Sequence, residues 1–126
     1  MDVGGGESIL VDDLTLRGYE NLTVPDVWSK AIEVTKKRWG SAAKRVHWLV
    51  GDITEIELEL HAYNLWHDRA VFHFLTAAKL RLAYVRQVSC AVKPGGTVII
   101  STFGPEASAK CSGLKVMRYD ADSLHG

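Results

Sequence analysis

The run Lys79–Phe103, "KLRLAYVRQVSCAVKPGGTVIISTF", changes its period in mid-course. Apolar residues recur at helical spacing up to Val92, and "KPGG" at Lys93–Gly96 stops the helix. "TVIISTF" (Thr97–Phe103) is β-branched and almost continuously apolar, the pattern of a strand buried on both faces. A helix that hands over to such a strand is half of a crossover unit, which needs a parallel strand before it.

Working outward, that strand and others like it can be read. "YNLWH" (Tyr63–His67), "VHWLV" (Val46–Val50) and "NLTV" (Asn21–Val24) have the length and composition of short strands. Between them, "SKAIEVTKKRW" predicts a helix capped by Ser29, with Ala31, Ile32, Val34 and Trp39 as its apolar positions. "SILVDDLTLRG" predicts a shorter helix that starts near Ser8 and stops at Gly18. Strands alternating with helices imply right-handed crossovers and a mostly parallel, doubly wound α/β sheet.

The composition fits one domain. The chain has 126 residues, 47% apolar and 24% charged, with a formal net charge of zero. A nucleic-acid surface normally carries a basic excess, and here 15 basic residues meet 15 acidic ones. No apolar run reaches the roughly 18 residues of a membrane span, and the start lacks the features of a signal peptide. Cys90 and Cys111 form no metal-ligand pattern and too few bridges for a disulfide scaffold. The expectation is a cytoplasmic protein with two free thiols and no metal site.

Ligands of doubly wound sheets bind beyond the carboxyl ends of the strands. Four such ends can be read: "DVGGGES" (Asp2–Ser8), "VPDVW" (Val24–Trp28), "VGDIT" (Val50–Thr54) and "LWHDRAVFHF" (Leu65–Phe74). In the first, Gly4, Gly5 and Gly6 allow a tight turn and close approach of a ligand to bare backbone. A dinucleotide fingerprint would need a third glycine where Ile9 stands, and Glu7 would face the phosphates, so a nicotinamide cofactor is disfavoured. Asp26 follows Gly6 by 20 residues, the spacing at which an acid reaches a ribose diol. Asp52 suits an exocyclic amine, and Val27 and Ile53 suit the faces of a flat base. Together these suit an adenosine without phosphates.

In their order and spacing, "DVGGGES", "VPD", "VGDIT", "YNLWHDRAVFHFL" and "VKPGGTVIISTF" resemble the class I S-adenosylmethionine-dependent methyltransferases, in particular a small stand-alone group. The resemblance implies a Rossmann-like sheet and a single domain over residues 1–126 that binds S-adenosyl-L-methionine. It places Asp2, Gly4, Gly5, Gly6, Asp26, Val27, Asp52, Ile53 and His67 around that cofactor, with His67 or Asp68 near its methionine end. His73 reads either as a general base or as a buried, hydrogen-bonded histidine. Asp68 reads either as a cofactor-side or catalytic group or as a structural acceptor. The acceptor of the methyl group would be a small molecule or a protein.

Measured against the family, the first strand is cut to a stub at Asp2–Val3 and the C-terminal hairpin of the sheet is missing. The fifth strand is then expected to face solvent as an apolar edge and to favour a homodimer. A non-catalytic binding or dimerisation module is the alternative reading. Pro25 stands where an apolar strand residue is usual, and Asp120 or Asp122 is expected to cap a final helix.

Overall fold

The computed structural model describes residues 1–6 and 9–125. The expected helix start at Ser8 and the charge of Glu7 fall outside the described residues. Strand β1 is the two-residue stub Asp2–Val3, followed by α1 (Leu10–Leu16), β2 (Leu22–Asp26), α2 (Ser29–Trp39), a 3-10 turn (Gly40–Arg45) and β3 (Val46–Val50). Then come β4 (Tyr63–Arg69), a 3-10 turn (Phe72–Phe74), α3 (Ala78–Ala91), β5 (Val92–Ser101), a small hairpin of β6 (Lys110–Cys111) and β7 (Leu114–Lys115), and α4 (Ala121–His125).

Every pairing among the first five strands is parallel. β2 pairs with β3, β1 with β4 and β4 with β5. The Gly4 amide donates to the Pro25 carbonyl at 2.8 Å, which sets β1 beside β2. The order across the molecule is therefore β3-β2-β1-β4-β5, a Rossmann-like α/β arrangement. Among the described residues only the β6–β7 hairpin is antiparallel, and it carries Cys111, for which the sequence suggests only a loop.

Side-chain alternation along β1 and β4 sorts the two layers. Val3 and Trp66 point to the face covered by α3, where they pack with Ile53, Phe72, Tyr84 and Ala91. On the other side of the sheet, Val11 of α1 packs with Val24 and Val46, joined by Trp39 and Trp48. Trp39 and Trp48 meet edge to face, their centroids 6.1 Å apart.

Four local expectations need correction. Ser29 is the first residue inside α2; the cap position belongs to Trp28, whose amide is held by Asp26 instead. The inner face of α2 uses Ile32 and Thr35, three residues apart, whereas Val34 is half-exposed. "KPGG" does not separate α3 from the strand. It bulges within β5, whose register slips between Tyr63↔Val92 and Leu65↔Thr97. Finally, β5 is not buried on both faces: Val98 is 42% exposed and Ile99 45%. It pairs with β4 alone among the described residues, which matches the expected apolar edge. Asp120 does cap α4, accepting the Ser123 amide while Ser123 Oγ accepts its own.

Candidate functional site

The tips of β1, β2 and β3 lie side by side because main-chain bonds join them. Gly4 donates to Pro25, and the Gly51 amide donates to the Asp26 carbonyl at 3.0 Å. The glycine turn, Asp26 and Asp52 thus share one end of the sheet. Gly4 sits at φ +68°, a region costly for other residues. A Cβ on Gly5 would lie 2.2 Å from Asp2 Oδ2, and one on Gly4 2.4 Å from Val71. Internal packing alone therefore demands glycines here.

Asp26 is the centre of this end. Its Oδ2 accepts the Gly6 amide at 3.1 Å and its Oδ1 the Trp28 amide at 2.8 Å. Gly6 is held from its other side by the Thr35 hydroxyl, which donates to the Gly6 carbonyl. Asp26 is itself buried, and among the described residues each of its oxygens accepts one amide. Beside it Val27 and Trp28 are 62% and 71% exposed, an open apolar margin. Asp52 is exposed and accepts the Thr54 amide and hydroxyl, both on Oδ1. Ile53, expected beside it, turns into the core.

At the first tip, Asp2 Oδ1 pairs with His67 Nδ1 at 2.9 Å, while its Oδ2 is buried without a partner among the described residues. Burial raises the Asp2 carboxyl above its ordinary value, and the His67 bond opposes that shift. Asp2 and His67 also line a cavity of about 540 Å³ under α1, between β2 and β4. Neither Asp26 nor Asp52 lines that cavity.

Asp68 and His73 stand apart from both. Asp68 is fully buried. Its Oδ1 accepts the Val71 amide at 2.8 Å; its Oδ2 accepts the Phe72 amide at 3.0 Å and the Tyr84 hydroxyl at 2.5 Å. Trp66 Nε1 donates in turn to the Tyr84 oxygen at 2.9 Å. Burial raises the Asp68 carboxyl, opposed by these donors. Burial first, then the Asp68 charge, push the Tyr84 hydroxyl far up, so it remains a donor. His73 is also fully buried, with its ring edge-to-face against Phe74 and Phe103. Its Nδ1 accepts the Phe103 amide at 3.4 Å, and its Nε2 makes no hydrogen bond among the described residues. Burial lowers its basicity, so it is held neutral.

Thr35, Trp66 and Tyr84 escape a reading by motif. Thr35 sits on the inner face of an amphipathic helix, and its phase relative to Ile32 is the one signal that could have found it. Tyr84 carries no such mark within α3. Among the described residues no helix is long and apolar enough to cross a membrane.

A methyltransferase-domain family model matches residues 1–96, and the chain belongs to that family. No curated protein matches it. Among solved structures, one from Haloferax volcanii holds a methyltransferase in complex with its activator Trm112. It aligns with a TM-score of 0.83 at 14% identity, over 98% of this chain and 56% of that one. A SAM-dependent methyltransferase of Methanosarcina mazei aligns at 0.73 and 20% identity, over 83% and 52%. An S-adenosyl-L-methionine-dependent methyltransferase from Methanococcus maripaludis aligns at 0.68 and 21%, over 81% and 46%. At such identities the likeness is one of fold. The chain spans about half the length of the structures it matches.

Proposed function

We propose that the crevice at the tips of β1, β2 and β3 binds S-adenosyl-L-methionine and that the domain serves methyl transfer. One observation carries this reading: the Gly6 amide on Asp26 Oδ2 locks a bare glycine turn against a carboxylate, with the Asp52 tip bonded next in line. Asp26 accepts the ribose hydroxyls, Asp52 the adenine amine, and Val27 covers the base while Ile53 supports Asp52 from the core. Gly4, Gly5 and Gly6 let the turn close down on Val71, Asp2 and Asp26 and so hold the tip in shape. Asp2, with a buried oxygen unpartnered among the described residues, and His67 lie toward the methionine end. Bound there, the cofactor supplies a methyl group on a sulfonium, open to in-line displacement. Such a step asks the protein for alignment and dryness more than for acid–base groups.

Asp68 and His73 enter as positioning residues in this reading, since both are sealed from the crevice. The acceptor is a small molecule or a protein, and the zero net charge argues against nucleic acid. The non-catalytic alternative is not favoured, because a methyltransferase-domain family model spans residues 1–96 and the fold is that of methyltransferases. We also propose that two copies associate through β5.

Calorimetric titration with S-adenosylhomocysteine tests the reading. Binding in the micromolar range is expected, with stabilisation of about 2.7 kcal/mol at a hundredfold excess over Kd. Absence of both heat and thermal shift would overturn it.

A further inference from the structure

One face of α3 holds the ends of two strands. Tyr84, Gln87, Val88 and Ala91 share that face by their helical spacing. Tyr84 and Ala91 are buried, and Val88 packs against the same core. A glutamine among them costs desolvation unless its amide is bonded. Gln87 Nε2 donates to the Ile53 carbonyl at 2.9 Å and to the Ile56 carbonyl at 2.6 Å. An amide nitrogen carries two protons, and both go to a single turn, the one that follows Asp52. Only the nitrogen end of the amide can meet two carbonyls, so the surroundings fix which way it points. Tyr84, one turn earlier, holds Asp68 at the end of β4. α3 thus reaches the tip of β3 through Gln87 and the end of β4 through Tyr84.

That turn carries the carboxylate assigned to the adenine amine. The Thr54 amide and hydroxyl bond to Asp52 Oδ1, and the Glu55 and Ile56 amides both donate to the Asp52 carbonyl at 2.9 Å. These bonds shape the turn without fixing its place, since they begin and end inside it. Two polar ties come from outside: the Gly51 amide on the Asp26 carbonyl before the turn, and Gln87 at its far side. Ile53 and Ile56 add apolar packing, which is not directional. We infer, resting on the cofactor reading proposed above, that Gln87 is a positioning residue for the adenine end of the cofactor. Its two hydrogen bonds set where the Asp52 carboxylate stands. Gln87 acts through the turn, because both its N–H groups are taken up there. A carboxylate accepts a hydrogen bond from an amine and repels a carbonyl oxygen. The precision with which Asp52 is held therefore decides how well the site tells one group from the other on a purine.

Calorimetry with two ligands tests the role. One is S-adenosylhomocysteine. The other is S-inosylhomocysteine, whose base has a carbonyl oxygen in place of the exocyclic amine. The unsubstituted chain should bind the first more tightly by about tenfold or more. Gln87→Met keeps the length of the side chain and removes both donors. It should weaken S-adenosylhomocysteine about tenfold and leave S-inosylhomocysteine within about twofold, so that the preference collapses. Gln87→Asn is one methylene shorter and cannot span both carbonyls; its preference should fall between. Both affinities are read on one sample, so a smaller folded fraction lowers the two heats alike and leaves the preference unmoved. A preference kept in both variants, or an equal weakening of both ligands, overturns the positioning role and leaves Gln87 a tie within the fold. An unsubstituted chain that binds both ligands alike overturns that role while the cofactor reading stands. One that binds neither overturns the cofactor reading itself.

Discussion

Asp26 and Asp68 both end parallel strands of one sheet, and the fold treats them in opposite ways. Asp26 takes one backbone amide on each oxygen and stands beside the exposed Val27 and Trp28. Asp68 takes two amides and a tyrosine hydroxyl and has no exposure at all. The first carboxylate is buried beneath an open apolar margin and holds the glycine turn. The second gives three acceptor positions, one of them to the Tyr84 hydroxyl, to tie the segment after β4 to α3. An acid at a strand end is thus no site by virtue of its place alone. What distinguishes the two is their surroundings, an exposed margin beside one and a closed core around the other.

The largest effect that would break this contrast is on folding. Asp68→Ala strands two amides and the Tyr84 hydroxyl in the core, and should lower stability by about 4 kcal/mol in urea unfolding. A loss below about 1 kcal/mol would show that Asp68 is no hub. Asp26→Ala should instead act on the ligand, weakening S-adenosylhomocysteine by about 2 kcal/mol, roughly 30-fold, in calorimetry. Unchanged affinity would remove the diol assignment. Tyr84→Phe removes one acceptor and one donor and should cost about 1.5 kcal/mol in the same unfolding assay, with ligand affinity unchanged.

The smallest effect concerns pH. The folded-state value of His73 lies below 6.5, so the unfolded chain binds the proton more readily. Stability from this residue is present above about pH 6.5 and is lost as pH falls below it. His73→Gln should flatten the slope of unfolding free energy between pH 7 and 5.5. Asp2 and Asp68 work in the other direction. Their folded values lie above 3.8, so their contribution is greatest in acid and fades as pH rises through those raised values. A steeper slope in His73→Gln would contradict the burial of a neutral imidazole.

Much of the architecture was legible in the chain. Val46–Val50 and Ser29–Trp39 appear as read, because their composition and period each admit one answer. "TVIISTF" misled for a physical reason: β-branched runs report strand propensity, whereas burial depends on which layers and strands lie alongside. The acids at the tips could be found from spacing, since spacing follows from the length of a crossover unit. The ties between tips could not. The Thr35 hydroxyl on Gly6 and the Tyr84–Asp68 bond join residues 29 and 16 positions apart, and no local pattern marks them.

Pro25 has a mechanical consequence. It occupies an inner strand, where a missing amide normally costs a rung. Only the Gly4–Pro25 bond links the main chains of β1 and β2 among the described residues. The two halves of the sheet, three strands and two, are therefore stitched by one main-chain bond together with the side chains of Asp26 and Thr35. The seam is held by few main-chain bonds, and it runs straight beneath the glycine turn.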